Sequence, residues 1–201
     1  AALAAISMTV GNVIAIQQHN IKRLLAYSSI GQVGFMLMGI AALSDATASA
    51  LVLHMTGYVV TNLAAFVPVI AYYNLTGKDE IADYRGLAER APFLAAGLTV
   101  ALFSLAGLPI FAGFLTKFIL FQAAAEEGFL WLSALAVVNS VISLYYYLNV
   151  IKQMYMVEPE EMTRFRVPLT VNGSLAVLVA GVFFIGVYPR PLFEIADNVT
   201  A

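Results

Sequence analysis

The stretch Leu102–Gln122 reads LFSLAGLPIFAGFLTKFILFQ. It is apolar almost throughout, is interrupted at Gly107-Leu108-Pro109, and carries one charge, Lys117. A lysine well inside a membrane-length segment costs roughly 2.5–3.5 kcal/mol on insertion scales, so it is rarely placed there without a task. Glycine and proline in mid-span free backbone groups that must find partners in protein or water. A broken helix beside a buried ionisable group is how membrane proteins build an ion site near the bilayer midplane. Gly107, Pro109 and Gly113 therefore mark a structural break, and the rest of the chain reads as the wall around it.

Composition agrees. Hydrophobic residues make up 61% of the chain and charged ones 11%. Globular averages are about 45–50% and 25%, so the chain reads as a membrane protein. A net charge of −2 gives no footprint for nucleic acid. With no cysteine, the chain has no disulfide, thiolate metal site or cysteine nucleophile. Ala1 opens inside an apolar run, and the chain is expected to be the C-terminal part of a longer polypeptide.

A spanning helix needs about 20 apolar residues. Six spans are expected, at about 1–16, 24–43, 48–73, 93–125, 129–155 and 169–187, in a single transmembrane domain over 1–201. The fourth is too long for one straight helix and resolves into two half-helices broken near 107–109. No segment alternates with period two as a barrel strand would. The fold class is all-α, a polytopic transmembrane helix bundle.

Loop charges give an orientation. The first, third and fifth connections carry Lys22 and Arg23, then Lys78, Arg85 and Arg90, then Lys152, Arg164 and Arg166. The second and fourth carry only Asp45 and Glu126-Glu127, and the tail carries Arg190. Eight of the ten basic residues thus share one side, which the positive-inside rule makes cytoplasmic, with the C-terminus outside. The stretch IADYRGLAER in the third connection reads equally as a short amphipathic surface helix or a solvated loop. The fifth connection, Glu158 to Met162, reads as a polar loop. Trp131, Tyr72, Tyr73, Tyr155 and Tyr188 fit interfacial belts.

Three residues are candidates for proton transfer. Low dielectric disfavours a charged lysine, which makes Lys117 an exchangeable site; the alternative is a lysine that snorkels toward the interface near Ala125. Lys22 reads as a cytoplasmic anchor or as a point of proton uptake, with Tyr27, Ser28 and Ser29 able to hold water. His54 is the weakest, either a relay imidazole or a satisfied buried histidine. His19 reads as solvated. Asn139, Ser140, Ser143 and Asn149 either line a hydrated path or bond between helices, whereas Tyr145-Tyr146-Tyr147 reads as packing. Gly31/Gly34, Gly97/Ala101 and Gly113 are small residues at helix-packing spacing. No phosphate loop, dinucleotide fingerprint or metal-ligand cluster occurs, so no cofactor is expected to be bound by this chain.

These residues carry a resemblance. HNIKRLLAYSSIGQVGFMLMGIAA and SLAGLPIFAGFLTKFILF resemble the NIKR-x-LAYSSI and SL-x-G-(I/L)-P-x-x-AGF-x-x-KF motifs of NADH-quinone oxidoreductase subunit N, the antiporter-like subunit of respiratory complex I. DEIADYRGLAERAP, SVISLYYYLNVIKQMY and VEPEEM fit the same family, and the resemblance covers essentially the whole chain. It implies the last six helices of a fourteen-helix subunit built from two inverted five-helix repeats. It also implies that Lys117 is the proton-transfer lysine of the broken twelfth helix and that Lys22 contributes. The family's glutamate and further lysines precede Ala1. Three positions depart from the family pattern: Ile110 replaces a second proline, Thr116 a glycine, and Gln32 a histidine. The first should make the break slightly stiffer and the second adds a hydroxyl beside Lys117.

The resemblance implies a non-redox subunit of a proton-translocating NADH:quinone oxidoreductase. NADH, quinone, FMN and iron–sulfur clusters are expected elsewhere in the complex. The expected partners are the other membrane subunits, the lipid bilayer, protons and internal water. The expected setting is a bacterial plasma (inner) membrane or a thylakoid-type one. The alternatives are a subunit of a multi-subunit cation/proton antiporter and a scaffold whose lysine is only an anchor.

Overall fold

In the computed structural model, residues 1–159 and 164–192 are described; Glu160-Glu161-Met162 of the polar fifth loop and the tail beyond Leu192 lie outside them. Eight α-helices account for most of this chain: α1 Ala2–Ile16, α2 Ile21–Ala42, α3 Asp45–Thr76, α4 Leu87–Arg90, α5 Pro92–Ala106, α6 Ala112–Ala124, α7 Leu130–Met156 and α8 Leu169–Val187. α2, α3, α8 and the run Ala112–Met156 are long and apolar enough to cross a membrane. That run is not one rod, because Glu127 and Gly128 leave helical geometry and Gly128 turns the chain at φ 87°. α5 and α6, with 15 and 13 residues, are each too short to span alone at about 1.5 Å per residue.

Local signals start and stop these helices. Asn20 caps α2 by accepting the Lys22 and Arg23 amide hydrogens at 3.0 and 3.1 Å. Ser44 and Thr47 close a reciprocal capping box on α3. Pro92 begins α5, where its missing N–H costs nothing, and Gly107 ends it in the left-handed region at φ 85°. α1 and α2 pack backbone to backbone: a Cβ on Gly34 would collide with the Met8 main chain.

One end of the bundle is knitted from three connections. Ile21 donates to Asp79 O at 2.9 Å, and Ile81 donates to His19 O at 2.7 Å. Gly86 donates to Gln153 O at 3.2 Å, and Phe165 donates to Arg90 O at 3.0 Å. The basic first, third and fifth connections therefore meet at one end. The third is neither a surface helix nor a solvated loop. A 3₁₀ turn over Ile81–Tyr84 and the single turn of α4 sink Ile81, Tyr84 and Leu87 into the core. Tyr72, expected at an interface, is fully buried there and donates its hydroxyl to Asp83 O at 2.6 Å. Trp131, Tyr73, Tyr155 and Tyr188 are exposed.

Candidate functional site

The break between α5 and α6 is held open by hydroxyls. Ser104, in the last turn of α5, accepts the Gly113 amide hydrogen on its Oγ at 3.0 Å. Thr61 Oγ1 of α3 lies 2.9 Å from the same Oγ. Gly113 has no room for a side chain, because a Cβ there would strike Ser104 O. Between the half-helices, Ile110 takes φ 80°, a conformation that a β-branched residue rarely adopts. A proline could not adopt it, since its ring fixes φ near −65°. The break is therefore strained at Ile110 rather than simply stiffened by the loss of a second proline.

Lys117 stands one helical turn into α6 and is 4% exposed. Its side chain runs back toward the break, where Nζ donates to Leu105 O at 2.7 Å. It does not reach for the Ala125 end, as a snorkelling lysine would. Leu105 lies in the last turn of α5, so the negative end of that helix faces the ammonium. The Phe35 ring of α2 flanks Nζ, its centroid 5.1 Å away. Gln32 of α2 donates to the same Leu105 carbonyl at 3.3 Å. Gly107, also at the break, leaves 3.4 Å between the Lys117 Cδ and the place a Cβ would take.

His54 is drawn to the same place from α3. Its Nδ1 lies 3.0 Å from Thr116 Oγ1, on the residue before Lys117. Its Nε2 is buried with no hydrogen-bond partner among the described residues. Gly57 permits this contact, because a Cβ on it would press to 2.9 Å on Thr116 Cγ2. Lys22 does not join Lys117 and His54. It sits at the basic end, 3.1 Å from Asp79 Oδ2 and 3.2 Å from the centroid of the Tyr73 ring. The Asn20 amide, and then the Lys22 ammonium, hold the Asp79 carboxyl below the usual carboxylate range.

Other polar residues tie the helices around this site. Tyr147 donates to Ser28 Oγ at 2.7 Å, and Tyr58 donates to Ser29 Oγ at 2.8 Å. Tyr146 donates to Asn12 Oδ1 at 2.8 Å, and Asn12 donates to Asn139 Oδ1 at 3.2 Å. Asn139 is thus an interhelical bond-former, whereas Asn149 is exposed. Nothing in the residue pattern singles out Asn12, Leu105 O or Phe35. Ser28, Gln32 and Phe35 do share one face of α2 by their spacing of three and four.

The profile of the NADH:quinone oxidoreductase/Mrp antiporter transmembrane family matches residues 1–143. The chain belongs to this family. The matched residues include Lys22, His54 and Lys117. A relative in Moorella thermoacetica, an NADH-quinone oxidoreductase subunit N, is 43% identical over 198 residues, covering 98% of this chain and 42% of the relative. The chain thus spans about two-fifths of the length of the curated relatives it matches. A chain in the structure of respiratory complex I from Thermus thermophilus with bound NADH is 26% identical, with a TM-score of 0.83 over 98% of this chain and 44% of that one. A chain of the Mrp complex from Dietzia is 21% identical, with a TM-score of 0.91 over 98% of this chain and 45% of that one, and shows the shared fold. The protein is a multi-pass membrane protein of the antiporter-like fold.

Proposed function

We propose that this chain is the C-terminal part of a proton-translocating subunit of an NADH:quinone oxidoreductase, and that Lys117 passes protons through it. The observation that carries the reading is the setting of Lys117: a buried cation on a broken helix, its ammonium on a carbonyl of the opposite half-helix. Identity of 43% to a subunit N supports the choice of complex over the Mrp-type alternative, whose support is likeness of fold at 21% identity. The chain itself performs no redox step in this reading. Electron transfer elsewhere in the complex changes the charge near the site. Two unit charges a few ångströms apart interact by about 4 kcal/mol at an effective dielectric of 20, enough to drive a lysine between its two protonation states.

The Thr116 hydroxyl links His54 Nδ1 to the turn that carries Lys117, so His54 is the inner partner of the relay. Lys22 serves at the basic end, where it is about one-third exposed and paired with Asp79. With that end cytoplasmic, the C-terminus lies outside.

Lys117→Arg tests the reading in the full-length subunit within the assembled complex. Arginine keeps the charge but does not release its proton. Proton uptake by inverted vesicles is expected to fall at least tenfold, with the complex still assembled. Wild-type uptake would reduce Lys117 to a fixed charge.

A further inference from the structure

The break leaves the Leu105 carbonyl without its helical donor. In an unbroken helix that oxygen would accept the N–H four residues on, and the residue there is Pro109, which has none. Two side chains take its place. Lys117 Nζ donates to Leu105 O at 2.7 Å, and Gln32 Nε2 of α2 donates to it at 3.3 Å. A carbonyl oxygen has two lone pairs, so it holds both donors at once. Gln32 is buried like Lys117, and Phe35, one turn further along the same face of α2, is the ring beside Nζ.

The two donors differ in kind. In the relay proposed above, Nζ alternates between ammonium and amine. A hydrogen bond from a charged donor is roughly twice as strong as one from a neutral donor, so the carbonyl is held less firmly whenever Lys117 is neutral. The Gln32 amide does not titrate and donates in both states. While the ammonium holds the carbonyl, Gln32 stands at the long end of hydrogen-bonding range, with room to close in. A buried carbonyl short of donors is unfavourable, and without Gln32 that penalty would fall on the neutral state of Lys117.

We infer that Gln32 is a positioning residue for the relay, which keeps the Leu105 carbonyl satisfied while Lys117 is neutral and so lets the lysine leave that carbonyl and return to it. The inference rests on the reading of Lys117 as a relay.

The test uses the full-length subunit in the assembled complex, in inverted vesicles. Gln32→Met keeps the length and bulk of the side chain and removes the donor. It should lower proton uptake and the kcat of quinone reduction about two- to tenfold, the worth of one hydrogen bond, with the KM for quinone unchanged. The effect of heavy water on kcat should rise above the wild-type value, because the step at Lys117 becomes the slow one. Gln32→His, whose neutral ring also donates one N–H, should restore the rates and the wild-type isotope effect. Wild-type rates in Gln32→Met, a loss that histidine does not repair, or a loss with an unchanged isotope effect would each overturn the role of Gln32. Each of these results leaves the relay reading intact so long as Lys117→Arg is inactive, so the two fail separately.

Discussion

At the scale of the residue, Lys117 was legible from its type and place: one lysine in an apolar span beside a glycine and a proline. Its partner was not, because Leu105 contributes a backbone carbonyl and that group has no letter in a sequence. Gln32 carried half a message. It marked the absence of a histidine, and only the fold shows its amide on the carbonyl that Lys117 also uses. In the sequence Thr116 adds a hydroxyl beside Lys117, and the structure gives that hydroxyl to His54. Thr116→Val would leave His54 Nδ1 without this partner, at a cost of about 1–3 kcal/mol for a buried unsatisfied group. Proton uptake in vesicles is expected to fall in Thr116→Val and to persist in Thr116→Ser. Equal uptake in both would remove Thr116 from the path.

At the scale of the element, the break is a balance of a bond and a strain. Ser104 replaces the lost helical bond by taking the Gly113 amide hydrogen, while Ile110 is held at positive φ. Ile110 is 64% exposed, so its side chain adds little packing to offset the strain. Ile110→Gly should therefore raise the stability of the subunit by about 1 kcal/mol, the strain of such a residue less the entropy cost of glycine. Thermal unfolding of the detergent-solubilised complex reads this as a higher midpoint. A lower midpoint would mean that Ile110 contributes more by contact than its exposure suggests. Gly113→Ala should act the other way and prevent assembly, since the new methyl group meets Ser104 O. The existence of the break followed from glycine and proline in mid-span. Its strained residue did not, because nothing in the letter Ile announces a left-handed backbone.

At the scale of the molecule, the gathering of the basic connections at one end was legible from charge alone. How they are fastened was not. IADYRGLAER alternates polar and apolar residues as a surface segment would, yet hydrogen bonds from Ile21 and Ile81 tie it down and bury its apolar side. The Lys22–Asp79 pair sits on this fastening and gives it a pH dependence. The folded state depresses the Asp79 carboxyl below its ordinary value of 3.8. Its contribution is complete above that value and is lost as pH falls through the lower folded value. Protection of the Ile21 and Ile81 amides from hydrogen exchange should be steady from neutral pH to about 5 and fall in more acid solution. Asp79→Asn should remove that acid-dependent fall. Both carboxylate and ammonium are about one-third exposed, so high salt should weaken the pair.

The role of Lys117 as a relay coupled to electron transfer is open to a single substitution, Lys117→Ala. Quinone reduction and proton uptake are recorded together in inverted vesicles that carry the assembled complex with the full-length variant subunit. Both activities are expected to fall together while assembly is intact. Wild-type levels of both would leave Lys117 a buried charge without a part in translocation.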